Sequence, residues 1–243
     1  MRYNGKEIAS WDLNSIKRFW DFASNEPLKY FTYMVGDKII KMLSNELKQD
    51  HKILDYGAGI GFLSEKLLKK GFNVTSLDSS PDSIVLLKNK LSIFKNFSGA
   101  MDLESIKNQD LKFDIIFIVE VVEHLDDYYL NELLENVFKL ITDNGIIIIT
   151  TPNNEILENS YIYCPFSDLV FHRWQHVRKW DKFTLNEKLK EKGFNNNRMI
   201  ETHFFNNPKW NGFNRKTIGG ILEFLKLSIE KKKPHLVAIA KKN

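Results

Sequence analysis

Three side chains that can bind a cation or move a proton lie close together near the middle of the chain: Glu120, Glu123 and His124. They follow Phe113–Val119, an almost wholly apolar run of the kind found in parallel strands buried on both faces. Two carboxylates and an imidazole at positions i, i+3 and i+4 form an oxygen-rich ligand set that suits Mg²⁺, Mn²⁺, Fe²⁺ or Co²⁺. If a helix begins near Val122, all three side chains face one cleft.

Two further histidines, His172 and His176, lie in residues 151–180, a segment without clear periodicity that follows the predicted fifth strand. Long irregular segments in compact domains are usually functional, and this one leaves the carboxyl edge of the predicted sheet, where ligands bind. Histidine titrates near neutral pH and is the commonest general base. We therefore predict His124, His172 and His176 as candidate catalytic residues.

A glycine-rich stretch must hold the second reactant. A short apolar run ends at Asp55, and glycines follow at alternate positions, Gly57, Gly59 and Gly61, before a helical pattern begins at Phe62. Glycine permits positive φ and close approach of a ligand, and a new helix offers free N–H groups. A second predicted strand ends at Asp78, about 20 residues on, where an acid holds a ribose hydroxyl in doubly wound folds. The pattern indicates a nucleotide-cofactor site.

The spacing of the glycines separates two cofactor classes. A dinucleotide-binding loop, G-x-G-x-x-G, would place its third glycine at position 62, which is Phe62 here, and this disfavours NAD. The pattern G-x-G-x-G with a preceding acid resembles motif I of the class I S-adenosylmethionine (SAM)-dependent methyltransferases. The resemblance implies SAM as cofactor and a site formed by Asp55, Tyr56, Gly57, Ala58, Gly59, Gly61, Asp78, Ser79, Asp102 and Glu120. Of these, Asp102 would accept from the adenine amino group, the alternative being an exposed turn residue.

The motif Glu120-x-x-Glu123-His124 resembles the metal-binding motif of ubiquinone-biosynthesis O-methyltransferases and of small-RNA 3′-terminal 2′-O-methyltransferases. In the second group a later histidine is the fourth ligand, and the segment Phe171-His-Arg-Trp-Gln-His176 aligns His176 with it. The resemblance implies a divalent metal held by Glu120, Glu123, His124 and His176. Glu-His at this place also occurs in metal-free small-molecule methyltransferases, in which His124, His172 or His176 would act as base.

Alternation of strands and helices predicts an α/β fold with a doubly wound, mostly parallel sheet, and the resemblance implies seven strands. We predict a single methyltransferase domain in three parts: an N-terminal helical cap over residues 1–50, a cofactor-binding core over residues 51–205, and an insertion helix with a final strand over residues 206–243. The helix is expected at residues 218–229. The last two strands are expected at residues 199–205 and 235–240, and the resemblance implies that they pair antiparallel.

Composition narrows the class of partner. The chain has 35 Lys and Arg against 31 Asp and Glu, and the excess of +4 is scattered, which disfavours nucleic acid as a partner without excluding it. The single cysteine, Cys164, excludes an intramolecular disulfide and a thiolate zinc cluster. With no apolar run long enough to span a membrane, we expect a cytoplasmic protein that makes no membrane contact and acts on a small molecule.

The function predicted from these residues is O-methylation by SAM of a small hydroxylated metabolite or a sugar-type group. An RNA 3′-terminal 2′-O-methyltransferase is the alternative substrate class, because a 2′,3′-diol also chelates a metal. A SAM-binding regulatory partner without catalysis is the alternative of a different kind.

Overall fold

The computed structural model describes residues 2–23, 26, 28, 30–204 and 233–242. The helix predicted at residues 218–229 lies outside these residues. The described chain forms two β-sheets, one of seven strands and one of four, with helices packed on the larger sheet.

Along the chain, the described elements have the following order. The chain opens with β1 (Arg2–Tyr3), β2 (Lys6–Ile8), α1 (Leu13–Ala23) and α2 (Phe31–Met42). Strands and helices then alternate as β3 (Lys52–Tyr56), α3 (Phe62–Lys69), β4 (Asn73–Leu77), α4 (Pro81–Leu91), β5 (Phe97–Met101), α5 (Leu103–Asn108), β6 (Phe113–Val119), α6 (Asp127–Leu140) and β7 (Ile141–Pro152). The last part contains a short 3-10 helix (Leu157–Ser160), β8 (Tyr161–Cys164), β9 (Leu169–His172), α7 (Lys182–Glu191), β10 (Phe194–Thr202) and β11 (His235–Lys242). Within the described ranges, none of the helices combines the length and the apolar character needed to cross a bilayer.

The larger sheet has the strand order β10-β11-β7-β6-β3-β4-β5. Strands β3 to β7 run parallel, and β11 lies antiparallel to both β7 and β10. This confirms the predicted seven-stranded, mostly parallel, doubly wound sheet. The order reverses at β3, whose neighbours are β4 and β6, so a crevice opens at the carboxyl ends of these strands, where ligands bind in such sheets.

The core lies on both faces of this sheet, which is why β6 is apolar throughout. Ile115 and Phe117 pack on one side with residues of α2, α3 and α4, and Ile116 and Ile118 pack on the other with residues of α6 and α7. All four are fully buried. The central strand is therefore fixed from both sides, and the residues that follow it start from a rigid position.

The N-terminal residues differ from the prediction. Residues 1–50 were expected to be helical, but Arg2–Ile8 form a hairpin whose second strand pairs in parallel with β9, which in turn pairs with β8. The resulting four-stranded sheet, in the order β1-β2-β9-β8, also gives residues 151–180 two strands where no regular structure was expected. Strands of two to four residues carry no readable alternation, and their partners are far apart in the sequence.

The helix after β6 also begins later than predicted. It starts at Asp127 and not near Val122, because the side chain of Asp126 accepts from the Tyr129 N–H and caps it. Residues 121–124 are therefore a turn, and Glu120 before them adopts a positive φ of 52°. Residues 120–124, called the acidic turn below, thus follow the end of β6 and do not open a helix. The strand predicted from Met199 in fact begins at Phe194.

One histidine outside the acidic turn, His235, packs among aromatic side chains at the end of the larger sheet. His235 opens β11, and its ring lies 5.0 Å from the Phe31 ring and 5.2 Å from the Phe204 ring, centroid to centroid. Burial, followed by the neighbouring His203, lowers the pKa of His235 to about 4. The folded protein therefore resists protonation of this ring.

We expect the variant His235→Phe to lose less stability in acid than the wild type. In the unfolded chain a histidine titrates near its ordinary pKa of about 6.5, so the unfolded state takes up this proton first. The stability present above pH 6.5 is lost as the pH falls from about 6.5 to 4, by up to about 3 kcal/mol. Urea unfolding at pH 7.5 and pH 4.5 measures the difference. His51→Phe, at a half-exposed position before β3, is the control, and equal losses for the wild type and His235→Phe would contradict the assignment.

Candidate active site

The glycine loop after β3 needs its glycines for two reasons. Gly57, Gly59 and Gly61 have φ values of 77°, 54° and 78°, a left-handed conformation that side chains disfavour. A Cβ atom on Gly57 would also lie 2.8 Å from Cγ2 of Val121, in the turn after β6. The loop is held at the edge of the sheet by the Gly57 and Ala58 N–H groups, which both donate to the Leu77 carbonyl at 2.9 Å. The glycine loop and the acidic turn are therefore in direct contact.

Asp55 supports this loop from behind. Its carboxylate is 3% exposed, and Oδ2 accepts from the Ser64 N–H at 3.1 Å and from the Ser64 hydroxyl at 2.6 Å. The Ser64 hydroxyl also lies 2.8 Å from that of Ser76. Burial raises the pKa of Asp55 to about 6. Asp55, predicted as a cofactor-binding residue, is thus linked through Ser64 to α3 and β4, and these hydrogen bonds hold the base of the glycine loop.

Asp78 lies at the front of the same loop. Its Oδ2 accepts from the Gly59 N–H at 2.8 Å and its Oδ1 from the Ser80 N–H at 2.9 Å, and the Ser79 N–H also stabilises the ionised form. Burial nevertheless raises its pKa. The backbone thus fixes the carboxylate at the place where an acid binds the ribose in doubly wound folds.

Tyr30 covers the loop from the other side. Its Cε1 lies 3.5 Å from the position that a Cβ on Gly59 would occupy, and burial, followed by the charge of Asp78, raises the pKa of Tyr30 to about 12. The sequence did not single out Tyr30. The available signal was an aromatic residue directly before α2.

Two other predicted cofactor residues have packing or capping partners. Asp102 is exposed, and its Oδ1 caps α5 by accepting from the Ser105 N–H at 2.7 Å. The hydrogen bonds from Ser105 lower its pKa. Tyr56 packs against the core on the α6 side, and burial raises its pKa. Contact of Asp102 with adenine stays a prediction.

The acidic turn after β6 holds two carboxyl groups, that of Glu123 buried and that of Glu120 half-buried. Glu120 Oε1 accepts from the Thr150 hydroxyl at 2.8 Å, and Glu123 Oε2 accepts from the Thr151 hydroxyl at 3.0 Å. Glu123 is 1% exposed, and its Oε1 has no hydrogen-bond partner. Burial raises the pKa of Glu120 to about 7, and burial together with the neighbouring Glu120 raises that of Glu123 well above its usual range. The site thus contains a buried, unpaired acceptor oxygen.

His124 is held as a neutral ring beside this oxygen. Its Nδ1 lies 3.4 Å from the backbone carbonyl of Gln175, an acceptor, so Nδ1 carries the proton and Nε2 the lone pair. Nε2 lies 3.9 Å from Glu123 Oε1. Burial, followed by the nearby His176, lowers the pKa of His124 to about 3. The ring is therefore uncharged at neutral pH.

His176 reaches the same place from the segment after β9. Its ring centroid lies 4.9 Å from that of His124, and its Nδ1 lies 2.6 Å from Oε2 of Glu155. Glu155 was not among the predicted residues, although it closely follows the end of β7. Because a carboxylate is the partner of Nδ1, the Nε2 atom of His176 carries the lone pair.

Glu123, His124 and His176 each offer one ligand atom, and the three atoms lie within 4.8 Å of one another. The orphaned oxygen of Glu123 and two imidazoles, each engaged through Nδ1, have the character of a divalent cation site. Of the four predicted ligands, Glu120 lies beside this set and not within it. The residues present fit a divalent cation.

His172 does not fit the predicted role of a general base. It is 2% exposed, and its Nδ1 accepts from the backbone N–H groups of Trp174 and His176 at 3.2 and 3.1 Å. The proton therefore lies on Nε2, which is 3.3 Å from Glu155 Oε1 without the alignment of a full hydrogen bond. No lone pair of this ring is free to take a proton.

Gln175 connects the N-terminal cap to the acidic turn. It is fully buried with a φ of 60°, its amide NH₂ donates to the His124 carbonyl at 3.1 Å, and its Oε1 accepts from the Trp20 indole at 3.1 Å. The Trp20 ring also meets the His124 ring edge to face at 5.0 Å. Helix α1 is thereby placed over the cleft, and Trp20 and Gln175 are site residues that the sequence did not reveal.

Comparison with known proteins gives one family. The model of the methyltransferase domain family matches residues 28–198. The ubiquinone biosynthesis O-methyltransferase of Pelagibacter ubique is 28% identical over 235 residues, which cover 92% of this chain and 90% of that protein. Other curated relatives of that name match over a shorter stretch, for example 52% of the protein from Azorhizobium caulinodans.

Solved structures share the fold at lower identity. A SAM-dependent methyltransferase from Archaeoglobus fulgidus superimposes with a TM-score of 0.60 at 23% identity, covering 91% of this chain and 99% of that one. The 1,6-didemethyltoxoflavin-N1-methyltransferase of Burkholderia thailandensis, solved with S-adenosylhomocysteine, gives a TM-score of 0.62 at 16% identity and covers 98% and 94% of the two chains.

We expect Gly57→Ala to weaken the binding of S-adenosylhomocysteine about tenfold or more. The left-handed conformation costs a residue with a side chain about 1–2 kcal/mol, and the new Cβ would overlap Val121. The double variant Gly57→Ala/Val121→Ala removes the overlap and should recover part of the affinity. Calorimetric titration measures both.

Gly5→Ala is the matched control. Gly5 has a φ of 79° in the β1–β2 hairpin, with nothing within 4 Å of an added Cβ. It should cost similar thermal stability and leave the affinity unchanged. Wild-type affinity in Gly57→Ala would show that the loop tolerates a side chain.

Proposed function

Because the chain belongs to the methyltransferase domain family, we propose that this SAM-dependent methyltransferase is an O-methyltransferase acting on a small molecule with two neighbouring hydroxyl groups. One observation carries the proposal: the unpaired Glu123 oxygen lies close to His124 and His176, and the turn that holds Glu123 and His124 touches the glycine loop. These groups suit an oxygen acceptor, and the names of the curated relatives agree with one.

The reaction requires alignment and the removal of one proton. SAM supplies a methyl group on a positively charged sulfur: the carbon–sulfur bond breaks, the sulfur keeps the electron pair, and a carbon–oxygen bond forms. The acceptor hydroxyl must give up its proton, and the protein must hold both reactants in line. The glycine loop, Asp78 and Tyr30 hold the donor side, and the acidic turn lies against the same loop through Val121.

The acceptor side is built by Glu123, His124 and His176, which would hold a divalent cation. A bound cation attracts neighbouring oxygens and lowers the pKa of a hydroxyl, so that the nucleophile forms at neutral pH. Glu120 adds a second carboxyl group beside Glu123 and can take up a proton, since burial raises its pKa to about 7. His124 stays neutral because burial lowers its pKa to about 3, which keeps its Nε2 available as a ligand.

The surroundings favour a flat, small acceptor. Trp20 presents its ring to His124 from α1, and Trp174, which precedes Gln175 in the chain, is partly exposed. The net charge of the chain is only +4, which by itself does not favour a polynucleotide. The 2′,3′-diol of an RNA 3′ end satisfies the same ligand set, so RNA belongs in the test as the competing acceptor.

The experiment compares acceptors that differ by one hydroxyl. With methyl-labelled SAM, 3,4-dihydroxycinnamate, sugar nucleotides and short RNAs are tested in the presence of Mg²⁺, Mn²⁺ or Co²⁺ and in EDTA. We expect transfer to a small vicinal diol with a divalent ion, and little transfer to 4-hydroxycinnamate or in EDTA. Transfer to RNA alone would replace the small-molecule proposal, and full activity in EDTA would remove the cation from it.

We expect Glu123→Gln to lower kcat/KM by about 100-fold or more, because the variant keeps the shape and loses the carboxyl group that can give up a proton to bind a cation beside His124 and His176. The affinity for S-adenosylhomocysteine should not change, since the glycine loop is intact. Cation affinity, measured by calorimetry, should fall with kcat/KM. Glu104→Gln, an exposed acid in α5, serves as the control. Unaltered cation binding in Glu123→Gln would contradict the ligand assignment.

A further inference from the structure

We infer that Glu155 is a positioning residue, whose carboxylate fixes His176 with its proton on Nδ1 and its Nε2 free to act beside Glu123 and His124. The inference rests on the proposed function for its purpose, and on hydrogen bonds between described residues for its content. It concerns a residue outside the predicted ligand set, in the connection between β7 and the 3-10 helix.

The contact between Glu155 and His176 is short and directional. Oε2 lies 2.6 Å from Nδ1 of His176, the range of a charge-assisted hydrogen bond. A carboxylate oxygen accepts hydrogen bonds, so the imidazole donates its Nδ1–H to Glu155.

His172 holds the carboxylate from its other side. Its Nδ1 accepts from two backbone N–H groups, so Nε2 bears the proton and lies 3.3 Å from Glu155 Oε1, without the alignment of a full hydrogen bond. The His172 ring also stacks on the His176 ring, with centroids 4.4 Å apart and planes 20° apart. Three contacts thus determine the orientation of His176: its backbone N–H donates to His172, its ring stacks on that of His172, and its Nδ1 is bonded to the Glu155 carboxylate.

The same geometry rules out an alternative for these three residues. Glu155, His172 and His176 also offer ligand atoms within 4.8 Å of one another, which by distance alone would suggest a second cation site. Both nitrogens that face the carboxylate carry protons, however, and a protonated nitrogen has no lone pair for a metal. The structure assigns this group to support, and the neighbouring group of Glu123, His124 and His176 to binding.

Glu155→Gln separates these roles because an amide cannot replace a carboxylate between two donors. The amide offers one oxygen and one NH₂ group, so one of the two imidazole N–H groups would face another donor. His176 can escape by moving its proton to Nε2, which would remove its lone pair from the site. His172 cannot, because two backbone N–H groups occupy its Nδ1. Glu158→Gln, an exposed acid three residues later, is the matched control.

The first measurement is made without metal. In protein labelled with ¹⁵N-histidine, long-range proton–nitrogen spectra distinguish which ring nitrogen is protonated. We expect His176 to carry its proton on Nδ1 in the wild type and in Glu158→Gln, and to lose that state in Glu155→Gln. A wild-type His176 protonated on Nε2, or an unchanged spectrum in Glu155→Gln, would overturn the inference.

The second measurement uses Co²⁺, followed by its visible absorption. We expect one ion per chain in the wild type, and an affinity about 10- to 100-fold lower in Glu155→Gln, as is usual when the partner of a ligating histidine is removed. Two ions per chain in the wild type would overturn the assignment of Glu155 and His172 to support. If the wild type binds no Co²⁺, the cation in the proposed function fails, while the nitrogen spectra still decide the role of Glu155.

Discussion

The two glutamates of the turn after β6 impose the constraint around which the site is built. Glu123 is buried and Glu120 lies half-buried beside it, so desolvation raises the pKa of both carboxyl groups, and the charge of Glu120 raises that of Glu123 further. Each receives only one hydroxyl hydrogen bond, from the threonine beside it in β7. Glu120 also holds a positive φ, a further cost. Such an arrangement persists because β6 is packed on both faces and leaves the turn little freedom to relax.

Two of the side chains that surround this pair are uncharged. His124 is kept neutral by burial, and Gln175 occupies the buried position between His124 and Trp20. A carboxylate at Gln175 would bring a further negative charge, whereas the amide both donates to the turn and accepts from the cap. Helix α1 is thus held over the site by a hydrogen bond between two uncharged side chains, Trp20 and Gln175.

The sequence predicted well those features that depend on neighbouring residues. The apolar run of β6 and the glycine loop depend on local pattern and were located from it, and the sheet class followed from the alternation of strands and helices. The hairpin at Arg2–Ile8 and the start of α6 at Asp127 were missed, because one depends on pairing with β9 and the other on a competing cap. Glu155 was missed for a related reason: only the folded structure brings it between His172 and His176.

Carboxylates in one cleft thus acquire opposite properties from their hydrogen-bond partners. Glu155 faces two imidazole N–H groups and remains ionised, although it too is partly buried. Glu123, more deeply buried and with one hydroxyl donor, keeps an oxygen without a partner and favours its protonated form. A cation entering the cleft would therefore compete with a proton at Glu123 and with none at Glu155, where both oxygens already face donors. In the proposed function, this difference between the two environments would let Glu123 bind the cation and Glu155 orient His176.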